Sequence, residues 1–173
     1  AHRDGGAFRL FTPTTINGAT ISNNSAQQSG GGVLSDPLAA NTNTFTNLTL
    51  NSNTAATGGG IFSSSGVLTI SGGTVNGNTA TTGKGGGVEH SGNSSSTING
   101  VTISGNTGSG IHITGTGSLD ASNNTITGNS GDGITKTGTG TGSHFNSNTI
   151  HSNGEIGIDL SDDGVTPNDA NDV

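Results

Sequence analysis

The chain has 173 residues, of which 25% are hydrophobic and 9% charged, with 33 glycines and no cysteine, methionine, tryptophan or tyrosine. Absent cysteine excludes disulfides, Cys-ligated zinc and thiol chemistry. The net charge is −7, and only Arg3, Arg9, Lys84 and Lys136 are basic, so nucleic acid and anionic membrane surfaces are not expected as partners.

One short pattern occurs six times. It begins as Thr20-Ile21-Ser22-Asn23-Asn24 and returns as Thr49-Leu50-Asn51-Ser52-Asn53 and Thr74-Val75-Asn76-Gly77-Asn78. Thr102-Ile103-Ser104-Gly105-Asn106, Thr125-Ile126-Thr127-Gly128-Asn129 and Thr149-Ile150-His151-Ser152-Asn153 complete it. Five positions before each aliphatic stands a second apolar residue: Ile16, Phe45, Ile70, Ile98, Ala121 or Phe145. Each Asn is followed by glycine and then an apolar anchor, at Val33, Ile61, Val88, Ile111, Ile134 and Ile158; Ala7 after Gly6 extends the series backwards. The anchors are spaced 26, 28, 27, 23, 23 and 24 residues. A fixed period in this range marks a solenoid, whose coils each bury a thin line of side chains against their neighbours.

Helix is disfavoured by the Gly, Thr, Ser and Asn content and by the absence of any 3.6-residue apolar period. Short strands joined by Gly and Asn turns fit instead. Like residues recur once per coil, not mirrored about a tight turn, so the strands stack in parallel. The reading is an all-β, right-handed parallel β-helix of about seven coils over residues 1–160, followed by an acidic loop or tail over 161–173.

Within a coil, strand alternation turns the aliphatic inward and its two neighbours outward. Asn24, Asn53, Asn78, Asn106, Asn129 and Asn153 then fall on one corner, ~4.8 Å apart, as a structural ladder. Asn tolerates left-handed backbone, so these residues are expected to make the turn themselves, and the glycine before each anchor to allow a sharp bend. The longer early coils carry extra residues, Pro37 to Asn41 and Ala80 to Lys84, read as loops bulging from a corner.

The runs Gly30-Gly31-Gly32-Val33, Gly58-Gly59-Gly60-Ile61 and Gly85-Gly86-Gly87-Val88 resemble the repeats of polymorphic outer-membrane proteins. Asn123-Asn124-Thr125-Ile126 through Gly133-Ile134 is similar to the parallel β-helix repeat of many bacterial surface and carbohydrate-active proteins. Gly157-Ile158-Asp159-Leu160 with Asp163 to Asp169 resembles the end of the β-helix in large secreted bacterial proteins with a CSLREA motif. The resemblance implies a secreted or cell-surface location and a structural or adhesive role. Partners would be further copies of the chain, or a host or surface glycan or protein. It also implies that an enzyme on this fold would act on polysaccharides. The Asp-Pro-His-Glu run of epimerase relatives and the Asn-Thr-Asp, Asp-Asp and Gly-His-Gly set of polygalacturonase relatives do not occur. Nor does a lyase-like calcium cluster beside a basic residue.

The column after the anchors reads Phe8, Leu34, Phe62, Glu89, His112, Thr135 and Asp159. Glu89 and His112 fall on adjacent coils, and an acid beside an imidazole is the weak catalytic candidate; the alternative is a surface cross-strand pair. Asp162, Asp163, Asn168, Asp169 and Asp172 place oxygen ligands around a Gly and a Pro, a composition that suits Ca²⁺. The outward Thr-x-Thr texture resembles the ice-binding surface of some antifreeze proteins, with a degenerate second column. A solenoid without a readable cap at either end is expected to associate end to end.

Overall fold

The computed structural model describes residues 2–38, 41–82 and 84–160. Two sheets carry the solenoid. The anchor sheet has seven parallel strands, Phe8–Leu10, Val33–Ser35, Ile61–Ser63, Val88–His90, Ile111–Ile113, Ile134–Lys136 and Ile158–Leu160. The second sheet has six rungs and folds over a corner. Thr42–Asn51 and Val67–Asn76 run through that corner as continuous strands, while Ser96–Asn99 and Thr102–Ser104 show the usual split into two. Every pairing is parallel and joins like positions of successive repeats: Thr74, Val75 and Asn76 face Thr102, Ile103 and Ser104, which face Thr125, Ile126 and Thr127. No helix occurs among the described residues.

Phe45, Leu50, Ile70, Ile98, Ile103, Ile111, Ile126 and Ile134 are buried to 1% exposure or less. The core is one aliphatic side chain deep and is continuous from coil to coil. That continuity is why a chain so poor in apolar residues folds at all. Each core residue stacks on an apolar residue of the next coil, as Val75, Ile103 and Ile126 do in register, so buried methylenes are shared between coils, at about 0.8 kcal/mol each.

The structure corrects four expectations. The first anchor is Phe8, not Ala7: Phe8 pairs with Val33, Arg9 with Leu34 and Leu10 with Ser35. The column after the anchors therefore starts with Arg9. The left-handed residue at the ladder corner is the one before each Asn: Asn23, Ser52, Gly77, Gly105, Gly128 and Ser152 all have φ between 55° and 65°. Their counterparts at the other corner, Gly18, Asn47, Gly72, Gly100, Asn123 and Ser147, are left-handed too, with φ between 51° and 66°. Coils therefore turn on a small or Asn residue that accepts φ > 0, which leaves the ladder Asn free to turn its amide inward. The glycine before each anchor serves closeness and not a bend. A Cβ on Gly87 would lie 2.5 Å from the Gly110 carbonyl oxygen, and one on Gly110 2.8 Å from that of Gly133. Lastly, part of the Ala80 to Lys84 insertion is ordered sheet, with Thr79–Ala80 pairing Thr54–Ala55.

Candidate functional site

The Asn row is a closed hydrogen-bond system. Asn53 donates from both its backbone N–H and Nδ2 to Asn78 Oδ1 at 3.0 Å, and Asn78 does the same to Asn106 at 2.9 and 3.1 Å. Asn106 continues to Asn129, and Asn129 to Asn153. Each second amide proton returns to a carbonyl of the preceding coil, as Asn106 Nδ2 does to Val75 O. Asn53, Asn78, Asn106 and Asn129 are buried and spend their polarity on one another and on backbone carbonyls. They hold the corner and carry no chemistry.

A second, shorter ladder was missed by the sequence reading. Asn124 donates to Asn148 Oδ1 and accepts from the Val101 N–H. The signal was present: Asn124 and Asn148 stand three residues after Ala121 and Phe145, the same offset as in the main row.

The outward row of the anchor sheet differs. Its register, Phe62, Glu89, His112, Thr135, Asp159, is confirmed, but these are not surface residues. Glu89, His112, Thr135 and Asp159 are at most 5% exposed. Ten residues separate Asn78 from Val88, against five from Asn106 to Ile111 and five from Asn129 to Ile134. The long connection stands above the short ones, and the step leaves an open depression of about 410 Å³ bordered by Lys84, Ser109, His112, Asp132, Thr135 and Glu155.

Hydrogen bonds organise its floor. Thr135 Oγ1 donates to Asp132 Oδ2 at 2.7 Å and lies 2.7 Å from Ser109 Oγ, while the Ile156 N–H donates to Asp132 Oδ1. Glu89 Oε1 is 3.8 Å from His112 Nδ1, with both side chains more than nine-tenths buried. Glu89 Oε2 is buried without a hydrogen-bond partner among the described residues. Burial pushes the Glu89 carboxyl up to about 7, against the opposing pull of the Lys84 ammonium and the Gly58 N–H. On the inner side of the same strand, burial lowers the His90 imidazole below its ordinary range, opposed by its bond to the Ser94 carbonyl. The structure thus brings Glu89 and His112 together and supplies hydroxyls around them, including Thr137 Oγ1 at 3.4 Å from His112 Nε2.

The metal candidates Asp162, Asp163, Asn168, Asp169 and Asp172 lie outside the described residues. Among the described residues no group of three or more His, Asp or Glu side chains is arranged to hold a metal ion.

Stacked parallel strands, one residue deep and repeating at 23 to 28 residues, define a β-solenoid scaffold. The chain belongs to the right-handed β-helix family, whose pattern matches residues 9–172. No curated protein and no solved structure matched the chain.

Proposed function

We propose that the protein is a non-catalytic structural or adhesive segment of an extracellular bacterial surface or fibre protein. The observation that supports this most is the unbroken Asn24-to-Asn153 ladder. A ladder that bonds to itself and to the backbone of the preceding coils makes a stiff rod and leaves the outer faces free. Those faces carry mostly short neutral side chains, as in the column Thr20, Thr49, Thr74, Thr102, Thr125, Thr149. Such a rod would extend itself end to end. Phe8, though in the inward column, is 41% exposed on the first coil, and Phe11 beside it is 51% exposed. Light scattering against concentration and salt is the test, because salt should screen the acidic C-terminal residues. A strict monomer under every condition would remove the fibre part of the reading.

A second reading, a carbohydrate-binding or carbohydrate-cleaving module, is favoured by the depression over Glu89 and His112. A glycan array with a polysaccharide-cleavage screen separates the two. Cleavage of any polymer that disappears in Glu89→Gln would displace the scaffold reading. The ice-binding alternative predicts thermal hysteresis that Thr102→Lys abolishes.

A further inference from the structure

Three groups on the outer face of the anchor sheet lie in a line from an exposed hydroxyl to two buried side chains. Thr137 is exposed, and its Oγ1 is 3.4 Å from His112 Nε2. His112 Nδ1 faces Glu89 Oε1 at 3.8 Å. The sheet register fixes this order, because Glu89 and His112 are direct cross-strand partners and Ile134–Lys136, which leads into Thr137, pairs with the His112 strand. A hydroxyl, an imidazole and a buried acid in this sequence are the parts of an activated nucleophile, whose contacts are commonly loose in the free state.

The tautomer follows from the neighbours. An acid facing Nδ1 favours the Nδ1–H form, which leaves the Nε2 lone pair directed at the Thr137 hydroxyl. The competing acceptor, the Ile113 carbonyl oxygen, is 3.5 Å from Thr137 Oγ1, no closer than the imidazole. Lys136 is turned away, donating to the Gly138 carbonyl. The other charged groups around the row are Lys84 above Glu89 and Asp132, Glu155 and Asp159 farther along it.

We propose that Thr137 is an activated hydroxyl that accepts an acyl group from a reactive ester, with His112 as its base and Glu89 as the positioning residue. In the step, a bond forms between Thr137 Oγ and the ester carbonyl carbon, and the hydroxyl proton passes to His112 Nε2. The bond from that carbon to the leaving oxygen then breaks. The leaving group departs with the electron pair, taking the proton from His112 if it is an alkoxide; if it is a stable phenolate, the proton goes to water. No oxidant or second reactant is required. This activity goes beyond the scaffold reading and survives its failure, since it depends on one patch of three coils and not on assembly.

The test uses the whole chain and p-nitrophenyl acetate, with acetylation followed site by site by peptide mass spectrometry and phenolate release followed by absorbance. Thr137 should acetylate at least about 100-fold faster than its exposed neighbour Thr139, the range of assistance a positioned base gives. Thr137→Val removes one exposed hydroxyl, should fold normally, and should abolish the corresponding phenolate release; Thr137→Ser should restore it. His112→Asn should remove the effect in a chain whose circular dichroism is unchanged. For Glu89, the readout is the pH profile of acetylation: the wild-type rate should rise through neutrality as the acid ionises. Glu89→Gln should flatten that rise, and Glu89→Asp should retain it in part. Equal acetylation of Thr137 and Thr139, or phenolate release untouched by Thr137→Val, would overturn the proposal.

Discussion

Two rows of side chains run along the same solenoid, one a buried Asn ladder and the other buried and polar only from Glu89 onward, and they behave oppositely. The ladder row is Asn in all six coils, and its amides donate to one another and back to backbone carbonyls. The outward row of the anchor sheet is a different residue in every coil, Arg9, Leu34, Phe62, Glu89, His112, Thr135 and Asp159, and it leaves one carboxylate oxygen without a partner. Repetition with complete pairing is what the fold needs. Variation with an unsatisfied buried polar atom is costly to the fold, so whatever holds it in place has another origin. The comparison separates the residues that make the rod from those that give one face its chemistry.

The largest expected effect comes from breaking the core that both rows share. Ile103→Asp places a charge between Val75 and Ile126 with no partner, and the variant should not fold. A melt like that of the parent would show that Ile103 does not point inward.

Next comes the ladder, where position should matter. Asn78→Ala removes the acceptor for Asn53 N–H and Nδ2 and the donor to Leu50 O, leaving buried groups unpaired at roughly 1–3 kcal/mol each. A loss of about 3–5 kcal/mol in urea unfolding is expected. Asn153→Ala, on the half-buried last rung, should cost about 1–2 kcal/mol. Equal losses at both sites would mean that burial does not set the ladder's contribution.

Titration should then distinguish the rows without mutation. Glu89 is raised in the folded chain, so its contribution is fully present below pH 4.5 and is lost as pH rises through about 7, by about 3 kcal/mol at most. His90 is lowered, so its contribution is present above pH 6.5 and is lost on acidification. Just below pH 6.5 the two slopes oppose each other, and above it only the loss from Glu89 remains. Glu89→Gln should gain on the wild type as pH rises from 5 to 8, while Asn78→Ala should show a constant deficit. A Glu89→Gln difference independent of pH would mean that the carboxyl is not held neutral.

The smallest effect concerns the acidic residues 161–173. Calcium held by Asp162, Asp163, Asn168, Asp169 and Asp172 would raise the melting temperature by ligand linkage. Melts that coincide in calcium and in chelator would retire that proposal.

Legibility in the sequence followed the same division. The period, the inward aliphatics and the Asn column could be read because each recurs with fixed offsets. The first anchor was misplaced because Ala7 stands where later coils have the third glycine of their Gly-Gly-Gly run, so glycine no longer marks the strand start. The turn residue was misassigned because its position is filled by Asn23, Ser52 and Ser152 in three coils and by Gly77, Gly105 and Gly128 in the others, so no single residue type marks it while the Asn after it never varies. The burial of Glu89 and His112 was not legible either. Alternation makes them outward, and the depression beside His112 is bordered by Thr82 and Lys84 from another coil, a relation between coils that no local pattern encodes.

The central claim is that pairing within the Asn row, and not the polar row over Glu89, holds the rod together. Urea unfolding of Asn106→Ala and Glu89→Gln, measured side by side at pH 8, tests it most directly. Asn106→Ala should lose about 3–5 kcal/mol, since it strands donors on Asn78 and a carbonyl on Val75, while Glu89→Gln should equal or exceed the wild type. A Glu89→Gln chain that loses more than Asn106→Ala would contradict the account.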